Sequence, residues 1–207
     1  MVIYYTHSFT NTKGESHQLL ETAIAAYLKA YANCADAESE AARMTANLAT
    51  CGEFGKPYIC GFAPFSISHS AGTWAVLISE PDVNCGLDIQ YERRADAISI
   101  AKRFYAPEDA AAVERLNKKA DGAEAEISLA AVSEFFRLWT RREALVKAIG
   151  TSVTESALPA VSSDRTECQG IEYRIQDVKI PASGKLHAAV CFENCGREIC
   201  PPELILL

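Results

Sequence analysis

The stretch Trp139-Thr140-Arg141-Arg142-Glu143-Ala144-Leu145-Val146-Lys147-Ala148-Ile149-Gly150 decides how this chain is read. Trp139, Leu145, Val146 and Ile149 recur at helical rather than strand spacing, and Gly150 supplies a natural stop. A helix with one buried side is predicted. Glu143 and Lys147 lie four apart on it, with the acid nearer the N-terminus, the better orientation for an ion pair. Taken alone, such a pair is an ordinary surface salt bridge worth about 0.3–0.5 kcal/mol. What sets against that is a second carboxylate in apolar surroundings elsewhere in the chain.

That carboxylate is Asp88, in Asn84-Cys85-Gly86-Leu87-Asp88-Ile89-Gln90. Leu87 and Ile89 flank it in a short run of strand type, and Gly86 removes a side chain just before it, which often marks close approach of a backbone or a ligand. A buried strand carboxylate costs several kcal/mol unless a cation or hydrogen-bond donors meet it. Strand alternation equally allows Asp88 to face solvent. The pattern alone leaves both open.

Gly86-Leu87-Asp88, followed by Trp139-Thr140, Glu143-Ala144 and Lys147, resembles the paired signature of the phosphopantetheinyl transferases. The length resembles the surfactin-type branch, in which two similar halves share one chain, rather than the short trimeric holo-acyl-carrier-protein synthase branch. Gly55-Lys56-Pro57 and Phe65-Ser66-Ile67-Ser68-His69-Ser70 are similar to that branch's two other motifs, in the expected order. The match runs from Gly55 to Gly150 and thins towards both ends. It implies an α+β fold with a pseudo-twofold arrangement of two similar α/β halves, the ligand lying at their junction. The halves would divide after the punctuation Glu80-Pro81-Asp82, giving residues 1–82 and 83–207.

Composition agrees with a globular protein: 49% of residues are hydrophobic and 23% charged. A net charge of −7 excludes a general nucleic-acid binder, since no basic excess replaces counterions at phosphates. The N-terminus lacks a basic segment followed by a long apolar core, and no run approaches a membrane span, so a cytoplasmic location is expected. The eight cysteines include no C-x-x-C pair, and free thiols are expected. His187, Cys191, Cys195 and Cys200 are spaced more loosely than zinc knuckles, which argues against a metal site there.

Along the chain, Val2 to Thr6 reads as a first strand. Ser16 is placed as the N-cap of a helix through Leu20, Ile24, Leu28 and Tyr31, and Ala35 to Thr50 as an alanine-rich helix stopped by Cys51-Gly52. Gly55-Lys56-Pro57 reads as a turn. Phe65 to Ser68 alternates as a half-buried strand, and Thr73 to Ser79 is a buried one. Arg93, Arg94, Lys102 and Arg103 make a local basic window, either a solvated helix face or a docking surface. Pro107 opens a helix, Asp121-Gly122 is a loop, and Ala125 to Gly150 is one long helix or two abutting ones. Ile171 to Ile180 and Leu186 to Phe192 form a hairpin or sheet.

The resemblance also implies chemistry: Mg²⁺-dependent transfer of 4′-phosphopantetheine from coenzyme A to a serine of an apo acyl or peptidyl carrier protein. Asp88, Glu143 and Lys147 are the implied catalytic residues, with Asp88 and Glu143 as metal ligands. Lys56, Pro57, Ser68, His69 and Lys147 are implied to bind coenzyme A, His69 at a phosphate. Many surfactin-type members carry a glutamate two residues after the motif aspartate; here that position is Gln90, a neutral third ligand. The early helix offers only Lys29 for a phosphate, with Lys13 or Arg43 as substitutes. The partners implied are coenzyme A and a carrier whose acidic helix docks near the basic window, with two halves in one chain making a monomer self-sufficient. The alternative is a non-catalytic relative that binds the same ligands.

Overall fold

The β-rich residues at the N-terminus form a strand buried at every position. In the computed structural model, which describes residues 1–117, 127–152, 158–196 and 200–207, the element order is β1 (Val2–Thr6), α1 (Glu15–Tyr31), α2 (Ala37–Ala46), β2 (Ala49–Cys51), β3 (Lys56–Tyr58), β4 (Phe65–Ser70), β5 (Thr73–Ile78), β6 (Cys85–Tyr91), α3 (Ala97–Phe104), α4 (Pro107–Asn117), α5 (Leu129–Ile149), β7 (Arg165–Cys168), β8 (Ile171–Asp177), β9 (Leu186–Glu193) and β10 (Glu203–Leu206). The fold is mixed α+β, as expected. One four-stranded sheet has the order β10-β1-β5-β4, the other β6-β9-β8-β7, and β2-β3 is a separate hairpin.

Apolar faces stack these elements in layers. Helices α1 and α2 cover one face of the first sheet, with Leu20 and Ile24 against Trp74 and Val76. Ile3, Tyr5 and Leu77 on its other face meet Leu87, Ile89, Val190 and Phe192 of the second sheet. The far side of the second sheet packs on α3, α4 and α5 through Phe135, Leu138, Leu145, Ile175 and Ala189. The second half of helix α5 is covered on most of its circumference, Thr140, Arg141 and Arg142 as well as Ala144, Leu145 and Val146 being buried, where the sequence predicts one buried side; Gly150, at φ 80°, ends it in the left-handed conformation that glycine tolerates.

Several local expectations are corrected. Ser16 is not the cap of α1; the helix starts at Glu15 after Gly14, and the Ser16 hydroxyl accepts a 2.8 Å bond from Trp74 Nε1. Glu15 instead organises that end, its carboxylate accepting from the backbone N–H groups of Thr10 and Thr12. The alanine-rich helix stops at Ala46, because Ala49–Cys51 pairs with Lys56–Tyr58 as a hairpin, so Lys56 and Pro57 sit in a strand and not in the turn. Strand β10 is a further element: it pairs parallel with β1 and returns the C-terminus to the first sheet. Asp121-Gly122 and Ala125 lie outside the described residues.

Two buried charges tie α4 and α5 to the segment before β7. Arg141, 3% exposed, donates from Nη1 to the carbonyls of Val161, Ser162 and Ser163, from Nη2 to Asp164 and from Nε to Asp177. Asp109 accepts from the N–H groups of Val161 and Ser162 at 2.8 and 3.1 Å. Each charge is met by hydrogen bonds, which is what makes its burial tolerable.

Candidate active site

Strand β6 is an edge strand of the second sheet, so alternate N–H groups on its open side need partners from elsewhere. Strand β4 supplies them with hydroxyls. Leu87, Ile89 and Tyr91 donate to the Oγ atoms of Ser66, Ser68 and Ser70 at 2.9, 3.1 and 3.0 Å. Pairing proceeds in step along both strands, so they run in the same direction and the two sheets are joined along this line. All three serines are buried, where the alternation in β4 predicts a half-buried strand. His69, one position out of phase, is exposed beside Phe9, at 5.1 Å between ring centroids.

From the other side, α5 presses on β6 at Gly86. A Cβ built on Gly86 would stand 2.0 Å from the Ala144 carbonyl oxygen and 2.6 Å from the Ala148 nitrogen. The glycine thus admits the helix backbone, and that contact brings Glu143 and Lys147 to the strand carrying Asp88.

Asp88 is 7% exposed. Its Oδ1 accepts from Ser68 Oγ at 2.9 Å and from Lys147 Nζ at 2.8 Å. Burial pushes the Asp88 carboxyl above the usual range, against the opposing pull of Lys147 and Ser68. Lys147 also donates to the carbonyls of Leu87 at 3.0 Å and Ile67 at 3.4 Å, so its ammonium is held between the two sheets. Glu143 is pushed up to about 7, first by burial and then by the negative charge of Asp88, with Lys147 and Arg142 opposing. Glu143 stands one turn before Lys147 on α5, so the helix that bonds Asp88 carries both side chains. The expected surface bridge is corrected: among the described residues no ion pair joins Glu143 to Lys147, whose ammonium is paired with Asp88 instead, and Asp88 does not face open solvent.

The other candidates are distributed around this centre. Gln90 is half-buried on β6, and its Nε2 donates to Ser70 Oγ at 3.0 Å and to its neighbour's carbonyl, Tyr91 O, at 3.2 Å. Lys56 reaches across from β3 to donate 2.9 Å to the Ala148 carbonyl in the last turn of α5, and burial lowers its pKa. Phe54, Lys56, Pro57, Phe65, Lys147 and Gly150 line a pocket of about 220 Å³, so the sites of Lys56, Pro57 and Lys147 adjoin, while His69 stands apart. On α1, Lys29 lies in the last turn; on α2, Arg43 is paired with Glu40. Arg93 and Arg94 line a wider cavity of about 680 Å³ with Ile127, Leu129 and Val132 at its apolar wall. Lys102 is instead paired with Glu114, and Arg103 lies over the Phe104 ring, which divides the basic window.

Ser66 and Ser70 stand in the motif Phe65 to Ser70, and Arg141 in the stretch Trp139 to Gly150, but no role for any of them follows from the sequence, and nothing there singles out Asp109 as a buried charge. The serine triplet was visible as a polar face of β4, but a solvent face has the same alternation. Among the described residues, no group of three or more His, Cys, Asp and Glu side chains is arranged to hold a metal ion. His187 is bonded to Glu92 and Cys191 is buried in β9, apart from the exposed Cys195 and Cys200. No helix among the described residues is long and apolar enough to cross a membrane.

Comparison with known proteins gives this geometry a family. The 4′-phosphopantetheinyl transferase AcpT of Salmonella typhimurium is 36% identical over 126 residues, which cover 57% of this chain and 59% of the relative. The 4′-phosphopantetheinyl transferase gsp of Aneurinibacillus migulanus is 32% identical over 133 residues, 63% of this chain and 49% of the relative. The chain thus spans about three-fifths of the length of the first and about half of the second. A profile of the 4′-phosphopantetheinyl transferase superfamily matches residues 84–191, beginning just before β6 and ending in β9. Because that span exceeds half of the 207 residues and takes in Asp88, Glu143 and Lys147, the protein belongs to the 4′-phosphopantetheinyl transferase superfamily.

Proposed function

We propose that this protein transfers 4′-phosphopantetheine from coenzyme A to a serine hydroxyl of an apo acyl or peptidyl carrier protein, releasing adenosine 3′,5′-bisphosphate. What supports the proposal is the 2.8 Å bond from Lys147, on a helix remote in sequence, to the buried Asp88, with Glu143 one turn before Lys147 and its carboxyl pushed up by burial and by the charge of Asp88. Phosphoryl transfer of this kind asks the protein for positioning, charge neutralisation and a proton acceptor.

Glu143 takes the proton from the attacking hydroxyl, directly or through a water. A carboxylate raised to about 7 suits that role near neutral pH. Lys147 stands one helical turn away and offsets negative charge on the pyrophosphate. Its contact to Ile67 O, at 3.4 Å, is the longest of its three, and the one a phosphate oxygen replaces most readily. The pocket beside Lys56 and Pro57 receives the nucleotide end of coenzyme A, with Ser68 and His69 on the adjoining strand. The cavity at Arg93 and Arg94, where the neighbouring Glu92 is paired with Lys185 and His187 and one wall is apolar, receives the carrier, the two arginines steering an acidic partner.

The donors at the centre suit Mg²⁺: two coupled carboxylates supply oxygen only, without thiol or imidazole, and a hard cation between them relieves their mutual repulsion. Asp88 and Glu143 would hold it, with the amide oxygen of Gln90 as a neutral third ligand. When bound, the ion neutralises charge on the pyrophosphate. Gln90→Glu is expected to lower the Mg²⁺ concentration for half-maximal transfer severalfold; an unchanged or higher requirement removes Gln90 from the ligand set.

The direct test mixes the full chain with coenzyme A, Mg²⁺ and an apo carrier protein and weighs the carrier. Added phosphopantetheine mass supports transfer. Free phosphate without added mass points to hydrolysis, and coenzyme A binding without either to a silent relative; both overturn the proposal.

A further inference from the structure

We propose that Ser68 is a positioning residue for the metal site, fixing one oxygen of Asp88 so that the other is presented to the cation. This rests on the Mg²⁺ reading above. A hydroxyl has one proton and two lone pairs. At Ser68 the N–H of Ile89 takes a lone pair at 3.1 Å, and the proton is directed to Asp88 Oδ1 at 2.9 Å. The serine is 5% exposed, and β4 and β6 hold it from both sides, so its hydroxyl has little freedom to turn elsewhere. Lys147 donates to the same Oδ1 at 2.8 Å.

Among the described residues, these are the side-chain donors that reach Asp88, and both meet one oxygen; the backbone N–H of Ile89 adds a weaker pull on the same carboxyl. Oδ2 carries neither bond. A carboxylate on an edge strand would otherwise rotate about its last torsion and present either oxygen, or both. Side-chain donors that converge on Oδ1 would favour presentation of Oδ2 to a cation, which Glu143 and Gln90 would help to hold. The matched serine is therefore an orienting group between the two strands, its hydroxyl aimed at Asp88. Its neighbours separate this role from mere cohesion. Ser66 makes the same kind of cross-strand bond, from Leu87 N at 2.9 Å, but has no bond to Asp88.

The experiment titrates Mn²⁺, as a probe for Mg²⁺, into the full chain saturated with coenzyme A and follows loss of the free-ion EPR signal. Asp88→Asn supplies the baseline. Ser68→Ala is expected to bind Mn²⁺ about tenfold more weakly, the lower end of what loss of a ligand's supporting hydrogen bond costs. Ser68→Thr, which keeps the hydroxyl, restores binding to within about twofold. Ser66→Ala lowers the melting temperature as Ser68→Ala does, but keeps wild-type Mn²⁺ affinity. Should Ser68→Ala fail to fold, Ser68→Cys, a weak donor of similar size, takes its place with the same expectation. Wild-type affinity in the Ser68 variant, or an equal loss in both serine variants, overturns the positioning role and leaves the metal reading standing. A wild-type protein no better than Asp88→Asn overturns the metal reading itself, and this inference with it.

Discussion

Glu143→Gln is expected to lower the turnover of phosphopantetheine transfer by about 10²–10⁴-fold, the usual contribution of a positioned general base, and at the same time to stabilise the fold at alkaline pH. The two effects share a cause. Glu143 is pushed up to about 7 from an ordinary 4.5 by burial and by Asp88, against Lys147 and Arg142. Between those two values the folded protein holds a proton that the unfolded chain has released. Stability from this group is therefore full below about 4.5 and is lost as the pH rises through about 7. The amide keeps the volume and never ionises. At pH 8 the variant should be more stable than wild type by roughly 2 kcal/mol, the shift discounted for partial exposure, and at pH 4.5 nearly equal to it. Urea unfolding at both pH values, alongside the carrier mass assay, checks both halves. A variant that remains active removes Glu143 as the base, and one whose stability tracks wild type at both pH values removes the strained carboxylate.

Gly86→Ala is expected to destabilise the protein by about 3 kcal/mol or more, at the upper end of overpacking costs, and to abolish transfer. The methyl would be placed 2.0 Å from the Ala144 carbonyl oxygen, 2.6 Å from the Ala148 nitrogen and 3.0 Å from the Ala144 carbonyl carbon. All three are backbone atoms of α5, so no side-chain rotation relieves the contact. The helix must withdraw from β6, taking Glu143 and Lys147 away from Asp88. Gly86 is not at positive φ, so the cost comes from contact and not from backbone strain. Truncating the nearest side chain, as in Gly86→Ala with Ala144→Gly, should not rescue the variant, since the obstacle is the carbonyl. A Gly86→Ala protein with wild-type unfolding midpoint would mean that α5 does not lie this close to the strand.

These two sites differ in how far the chain's letters announced them. Glu143 was legible as half of a helical pair, and its partner Lys147 with it, because spacing along one helix fixes which side chains are neighbours. Gly86 was legible as a place of close approach, though not whether backbone or ligand would fill it. The serines of β4 were legible only as the polar side of a half-buried strand: alternation distinguishes two faces of a strand but is silent about whether water or another strand's N–H groups lie on the polar one. Lys56 similarly belonged to a recognisable motif, yet its bond to the end of α5 depends on a hairpin that the alanine-rich sequence before it concealed.

By itself the sequence determined the helix α5 and its stop at Gly150, the strands around Asp88 and Ser68, and the family signature, because periodicity and motif order are local properties of the chain. Only the tertiary structure decided that Lys147 of α5 bonds Asp88 of β6, that hydroxyls join the two sheets, and that β10 returns to pair with β1. The physical reason is that such meetings depend on how an edge strand finds partners for its N–H groups and how closely a helix backbone can approach a glycine, and both are settled between segments far apart along the chain.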